Sequence, residues 1–169
     1  RTRNRERALS IRNELKNMNF PLFNKTTSLG SSAAKPFVFV GDEEGFIEVF
    51  KIEYSLVLKS RLQVTKHAFT KIHESDITRI MYIEALGYFA SCSFDGSIKI
   101  WEFNENNSSI TVINSFKFPD LRLSGFIYVP QTKEFVAVTT SHCIAQWRCF
   151  TKIWKICETP CSHVTALVP

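Results

Sequence analysis

No window of the sequence approaches the roughly 18 consecutive apolar residues of a membrane-spanning helix. The chain opens RTRNRERALS, without an initiating Met or an apolar signal core, so no secretory leader is expected. A G-x-S-x-G elbow, a phosphate-binding Gly loop, a paired-carboxylate motif and a metal-ligand helix are all missing. Those absences remove the commonest signatures of hydrolases, nucleotide-binding enzymes and metalloenzymes. No catalytic residue, no cofactor and no small-molecule substrate is therefore expected. Cysteine gives no metal signature either. Cys143, Cys149, Cys157, Cys161 and His163 lie near one another in sequence, but paired short C-x2-C knuckles are absent, so no zinc site is expected. Several of these Cys fall within predicted strands or at their ends, where Cys is a small buried hydrophobe. An odd total of five Cys in a chain long enough to own a core fits reduced thiols in an intracellular, cytoplasmic protein.

What is present describes a folded chain. Hydrophobic residues make up 44% and charged residues 22% of the sequence, outside the disordered range. Phe occurs 15 times, in runs with Val, Ile and Thr that favour sheet. The net charge is +5, and its location matters more than its size. Residues 1–25 hold seven basic side chains (Arg1, Arg3, Arg5, Arg7, Arg12, Lys16 and Lys25) against Glu6 and Glu14, which accounts for the whole excess. The remaining residues carry 14 basic and 14 acidic groups, and a neutral body argues against a broad nucleic-acid-binding face.

Within the arm, Ala8, Ile11, Leu15 and Met18 recur at helical spacing, with Arg5, Arg12 and Lys16 off that stripe. Pro21 ends the pattern. Residues 1–20 are thus read as a basic amphipathic helix. It would dock on its own protein or, alternatively, on an acidic partner or an anionic surface. Residues 21–36 contain the small polar run NKTTSLGSSAAKP and read as a flexible linker or a gap in the chain.

Self-similarity is the strongest signal. Residues 77–101 overlay residues 123–147 at an offset of 46, placing Ile80 on Phe126, Tyr82 on Tyr128, Phe89 on Phe135, Ile98 on Ile144 and Trp101 on Trp147. Residues 37–50 form an earlier copy at an offset of 51, with Phe50 at the Trp place, and residues 162–169 open a later one. Each copy parses as short strands. In the central copy these run Ile77–Ile83, Tyr88–Ser93, Ser97–Phe103 and Ile110–Phe116, with Asp95-Gly96 as a tight turn between the second and third. Apolar residues on both faces suit sheets stacked between other sheets.

The segment His73–Trp101, ending ASCSFDGSIKIWEF with 28 residues from His to Trp, resembles a blade of the WD-repeat β-propeller family. The resemblance implies an all-β, partial propeller of about three four-stranded blades plus one strand, preceded by the short basic helix. Blades are expected at about 37–66, 73–117 and 119–156, with another starting at 162–169. It also implies a buried relay in which Trp101 donates to Ser91, Ser91 contacts His73, and His73 donates to Asp95. Such a relay lets buried polar groups satisfy one another. Its order and spacing separate it from a catalytic triad. The next copy has Pro119, Ala137 and Ser141 at the His, Ser and Asp places and keeps Trp147; the first copy has Val40 and Glu44. Those blades are expected to rely on apolar packing.

Asp42-Glu43-Glu44 and Phe94 fall at hairpin tips. The resemblance puts those tips on one rim and makes Glu43, Phe94 and Thr140 candidate partner contacts. Phe94 would anchor an interface, or equally pack against a neighbouring loop. The expected function is a non-catalytic protein–protein interaction scaffold in a multi-subunit assembly, with cytoskeletal and ciliary assemblies among those the resemblance suggests. Electrostatic tethering of the arm to a microtubule, nucleic acid or phospholipid is the alternative.

Overall fold

A computed structural model describes residues 25–32, 36–55, 61–118, 120–141, 143–148 and 154–158. Twelve strands are present among them and no helix. Three four-stranded antiparallel sheets result, each from consecutive strands. Sheet 1 contains β1 (Thr26–Ser31), β2 (Phe37–Asp42), β3 (Phe46–Ser55) and β4 (Arg61–Lys71). Sheet 2 contains β5 (Ile77–Ile83), β6 (Tyr88–Ser93), β7 (Ser97–Asn104) and β8 (Ser109–Lys117). Sheet 3 contains β9 (Leu123–Val129), β10 (Glu134–Thr139), β11 (Cys143–Arg148) and β12 (Trp154–Glu158). This is a partial, propeller-like stack. The expected helix over 1–20 and the further strand at 162–169 lie outside the described residues.

The segment read as a linker differs from that expectation. Thr26–Ser31 is β1, paired with β2 through partners such as Leu29 with Val40 and Gly30 with Phe39. Sheet 1 therefore starts at Thr26 and ends at Lys71, beyond the expected 37–66 on both sides. Small residues suit this strand because β1 lies close against β5 of the next sheet. A Cβ at Gly30 would collide with the Ile80 side chain. The composition that suggested flexibility instead permits a close approach.

Sheets pack face to face, so their central strands are buried on both sides. In β2, Phe37 and Phe39 join Ile47 and Val49 in a cluster with Trp101, Phe89 and Ile80 of sheet 2. Val38 and Val40 belong to a separate cluster on the opposite face. Between sheets 2 and 3, Ile98, Ile100 and Cys92 pack with Phe126, Phe135 and Trp147. Outer strands see water: in β8, Val112 and Ile113 are 41% and 48% exposed, and Ile113 falls in a bulge between the pairs Ile100–Asn114 and Trp101–Val112, which disrupts an edge open to further pairing.

Hydroxyls repeat along the inner strands. Thr27 Oγ1 donates to Ile77 O of the next sheet at 2.7 Å and lies 3.2 Å from Gly41 O of its own. Thr78 Oγ1 does the same towards Leu123 O at 2.9 Å, with Cys92 O at 3.4 Å. Ser124 holds the corresponding place in sheet 3 and donates to Val138 O at 3.1 Å. One short polar side chain per junction thus stitches neighbouring inner strands where larger side chains could not fit.

Candidate functional site

His73, Ser91, Asp95 and Trp101 come from four separate places in the chain. Trp101 stands on β7, Ser91 on β6, Asp95 in the turn between them, and His73 in the loop that leads from sheet 1 into β5. Trp101 Nε1 donates to Ser91 Oγ at 3.0 Å, and Ser91 Oγ lies 2.8 Å from His73 Nε2. At the other end of the ring, His73 Nδ1 is 2.9 Å from Ser97 Oγ and 3.3 Å from Asp95 Oδ2. Ser97, absent from the expected set, donates to Asp95 Oδ1 from its hydroxyl at 2.6 Å and from its amide at 2.8 Å. The Glu74 amide donates to Asp95 Oδ2 at 2.9 Å. Every proton in this chain is placed by the neutral imidazole carrying hydrogen on Nδ1 and accepting from Ser91 at Nε2. The signal for Ser97 was its position two residues after Asp95, within reach of a side chain that caps its own turn.

Electrostatics agree with that assignment. Burial pushes the His73 pKa down, only partly opposed by its hydrogen bond to Asp95. Burial also pushes the Asp95 carboxyl up, but hydrogen bonds from His73, the Glu74 amide and Ser97 outweigh it and hold the group well below the usual carboxylate range. His73 and Ser91 have no exposed surface, so no substrate reaches the Ser91 hydroxyl, and this Ser–His–Asp set cannot act as a hydrolytic triad. The Cys92 thiol, also fully buried, is pushed up to about 12 by burial, which leaves it protonated and inert. Among the described residues no group of three or more His, Cys, Asp or Glu is arranged to hold a metal. Cys149, Cys161 and His163 lie outside the described residues.

The relay also joins two sheets. Gly45 O, at the tip of the β2–β3 hairpin, accepts from the amides of Ile72 and His73, both at 3.0 Å. Gly45 takes φ +88° in contact with His73, where a Cβ would strike the His73 carbonyl. Gly96 repeats the arrangement with φ +81°, its carbonyl accepting from Phe118 at 2.9 Å. Each hairpin tip is thus clamped to the loop entering the following sheet.

Glu43, Phe94 and Thr140 occupy equivalent tips. Their amides donate to the carbonyls of Lys25, Asp76 and Arg122 at 3.1, 3.0 and 2.9 Å, in each case the residue at or just before the start of the inner strand. Glu43 and Thr140 are exposed. Phe94 is half-buried, with the Arg122 guanidinium 4.7 Å above its ring. The Arg122 guanidinium, from the loop before β9, thus covers part of the Phe94 ring. Arg122 is a rim residue that sequence reasoning missed, because it comes from the loop before the next sheet. The basic arm residues Arg1, Arg3, Arg5, Arg7, Arg12 and Lys16 lie outside the described residues.

The stack has counterparts among solved structures. It is similar to the β-propeller domain of Cps50 (Swd1) from Myceliophteria thermophila, with a TM-score of 0.63 and 14% identity over 81% of this chain and 44% of that one. It is also similar to Sqt1 from Saccharomyces cerevisiae, with a TM-score of 0.56 and 7% identity over 79% of this chain and 34% of that one. This chain thus spans less than half the length of either structure. No family model matches the chain and no curated protein matches it in sequence. At such identities the likeness is one of fold, and that fold is part of a β-propeller.

Proposed function

We propose that the chain is a non-catalytic scaffold whose hairpin rim binds other proteins of a multi-subunit assembly. The supporting observation is the equivalence of Glu43, Phe94 and Thr140: three tips anchored by the same backbone bond, above a relay that is sealed and chemically idle. Rigid, pre-organised tips bearing an acid, a cation-covered aromatic and a hydroxyl suit recognition rather than turnover. An intracellular setting belongs to this proposal, since the described thiols, Cys92 and Cys143, form no disulfide.

Chemical cross-linking in native material tests it. The double variant Glu43→Arg/Thr140→Arg is expected to lose about tenfold or more of its cross-linked neighbours, whereas Ile113→Lys on the outer strand retains them. Equal cross-linking by both variants would sink the rim assignment. The second reading, electrostatic tethering by the arm, is favoured by the concentration of net charge in residues 1–25. It predicts that removing residues 1–20 abolishes binding to anionic vesicles, microtubules or nucleic acid, and that salt weakens that binding steeply.

A further inference from the structure

We propose that the rim holds a carboxylate-binding site at the junction of sheets 2 and 3, where the Arg122 guanidinium receives an Asp or Glu side chain from an acidic peptide segment of a partner protein. This rests on the rim reading above and names the partner's chemistry at one place along it. The starting observation is a cation without an acid. Lys51, Lys66, Lys71 and Arg148 each face a carboxylate of their own chain within ion-pair distance. Arg122 is exposed, and its guanidinium forms no ion pair and no hydrogen bond with the described residues. It lies instead over the Phe94 ring, 4.7 Å from its centroid.

The backbone holds both members of that pair in place. Arg122 O accepts from the Thr140 amide at 2.9 Å, and the Phe94 amide donates to Asp76 O at 3.0 Å. The loop before β9 is also pinned to the turn that carries Phe94. Gly96 O accepts from the Phe118 amide at 2.9 Å, and a Cβ at Gly96 would strike Leu121 O. A guanidinium settled on an aromatic face keeps N–H donors free to fork onto a carboxylate. Because the ring already holds it, little side-chain freedom is left to lose on binding. Charge then selects a carboxylate over a phosphate. Asp95 follows Phe94 in the turn, but its oxygens are taken by His73, Ser97 and the Glu74 amide. Glu74 and Asp120 are exposed and Asp76 is half-buried, on the segments that meet here. One guanidinium among these acids matches a single negative charge, whereas a phosphate dianion would be repelled. Thr140, exposed and bonded to Arg122 through its amide, adds a hydroxyl donor at the edge of the site.

Carbodiimide, which joins an amine only to a carboxylate in contact with it, tests the site in the full 169-residue chain in native material. In Arg122→Lys it is expected to couple the new amine to an Asp or Glu of a partner protein, mapped by mass spectrometry. The yield should be about tenfold or more that of Ile113→Lys on the exposed β8. Cross-linking of rim neighbours in the same material should fall about tenfold in Arg122→Glu and return towards the native level in Arg122→Lys. Phe94→Leu removes the ring, keeps the charge and should lose about threefold. Absence of coupling in Arg122→Lys, or native cross-linking in Arg122→Glu, overturns the inference. Where the Glu43→Arg/Thr140→Arg chain has meanwhile lost its neighbours, the rim reading survives that failure; where it keeps them, both fall. Cross-linking that depends on Arg122 but disappears on phosphatase treatment of the material overturns the carboxylate in favour of a phosphate.

Discussion

At the junction of sheets 1 and 2 a buried polar chain runs from Trp101 through Ser91 and His73 to Ser97 and Asp95. The corresponding tryptophan of sheet 3 is held differently. Ala137 stands where sheet 2 has Ser91 and is fully buried, and the Trp147 ring stacks on Phe116 with centroids 3.3 Å apart and on Phe135 at 6.0 Å. Both solutions bury one indole between two sheets. They differ in what they specify. The polar chain ties the loop before β5 to one geometry, because hydrogen bonds are directional and every buried donor in it must keep an acceptor, whereas stacked rings tolerate small slides. Sheet 3 omits the hydroxyl and carboxylate together with the histidine, and that coherence has a physical reason: a partly satisfied buried network is worse than none.

The largest test of this contrast is truncation of the two tryptophans. Trp101→Ala should cost about 3–5 kcal/mol, measured by urea unfolding. Trp147→Ala should cost less by about 1–2 kcal/mol, because it strands no polar chain. Equal losses would mean that the network adds nothing to packing. Next in size, Asp95→Ala removes the acceptor of Ser97, His73 and the Glu74 amide and should cost about 1–3 kcal/mol. In a double-mutant cycle with Ser97→Ala the losses should be clearly less than additive; strict additivity would separate Ser97 from the relay.

Acidification should weaken the polar junction. The folded pKa of His73 lies below its ordinary 6.5, so below that pH the unfolded chain takes up the proton first and stability falls. The slope is at most about 1.4 kcal/mol per pH unit. The depressed Asp95 contributes stability above 3.8 that is lost as the pH drops further. Melting temperatures recorded from pH 7.5 towards pH 5, on the order of that one-proton slope, should decline in the native chain and decline less in His73→Gln. Parallel curves would show that His73 is not the titrating group. The smallest effect belongs to the hydroxyl stitches. Thr78→Val should cost about 0.5–1.5 kcal/mol, and Ser124→Ala less, since the described bond of Ser124 stays within its own sheet. A greater loss at Ser124 than at Thr78 would reverse the ranking.

Much of the central sheet follows from local sequence signals. The strands Ile77–Ile83 and Tyr88–Ser93 match the periodic reading, and β7 and β8 extend it by a residue or so at their ends, because alternation and an Asp-Gly turn are local signals. The candidate relay residues were readable for a different reason, namely their likeness to a repeated motif. Ser97 carried only a turn-capping signal, two residues after Asp95; its bond to His73, 24 residues away, arises from the fold. Phe94 and Arg122 tell the same story at the rim: the aromatic was visible in its turn, its cover was not.

The repeat, the sheet-forming segments of the central copy and the confinement of net charge to the first 25 residues follow from residue order alone. That Thr26–Ser31 is an inner strand, that Ser97 sits between His73 and Asp95, and that Arg122 covers Phe94 depends instead on packing. Each of these depends on a neighbour distant in sequence: β5 crowding β1, a loop carrying His73 under β7, and the approach to β9 lying beside a turn of sheet 2. Small polar residues look alike in a linker and at a crowded sheet axis, and packing alone tells them apart.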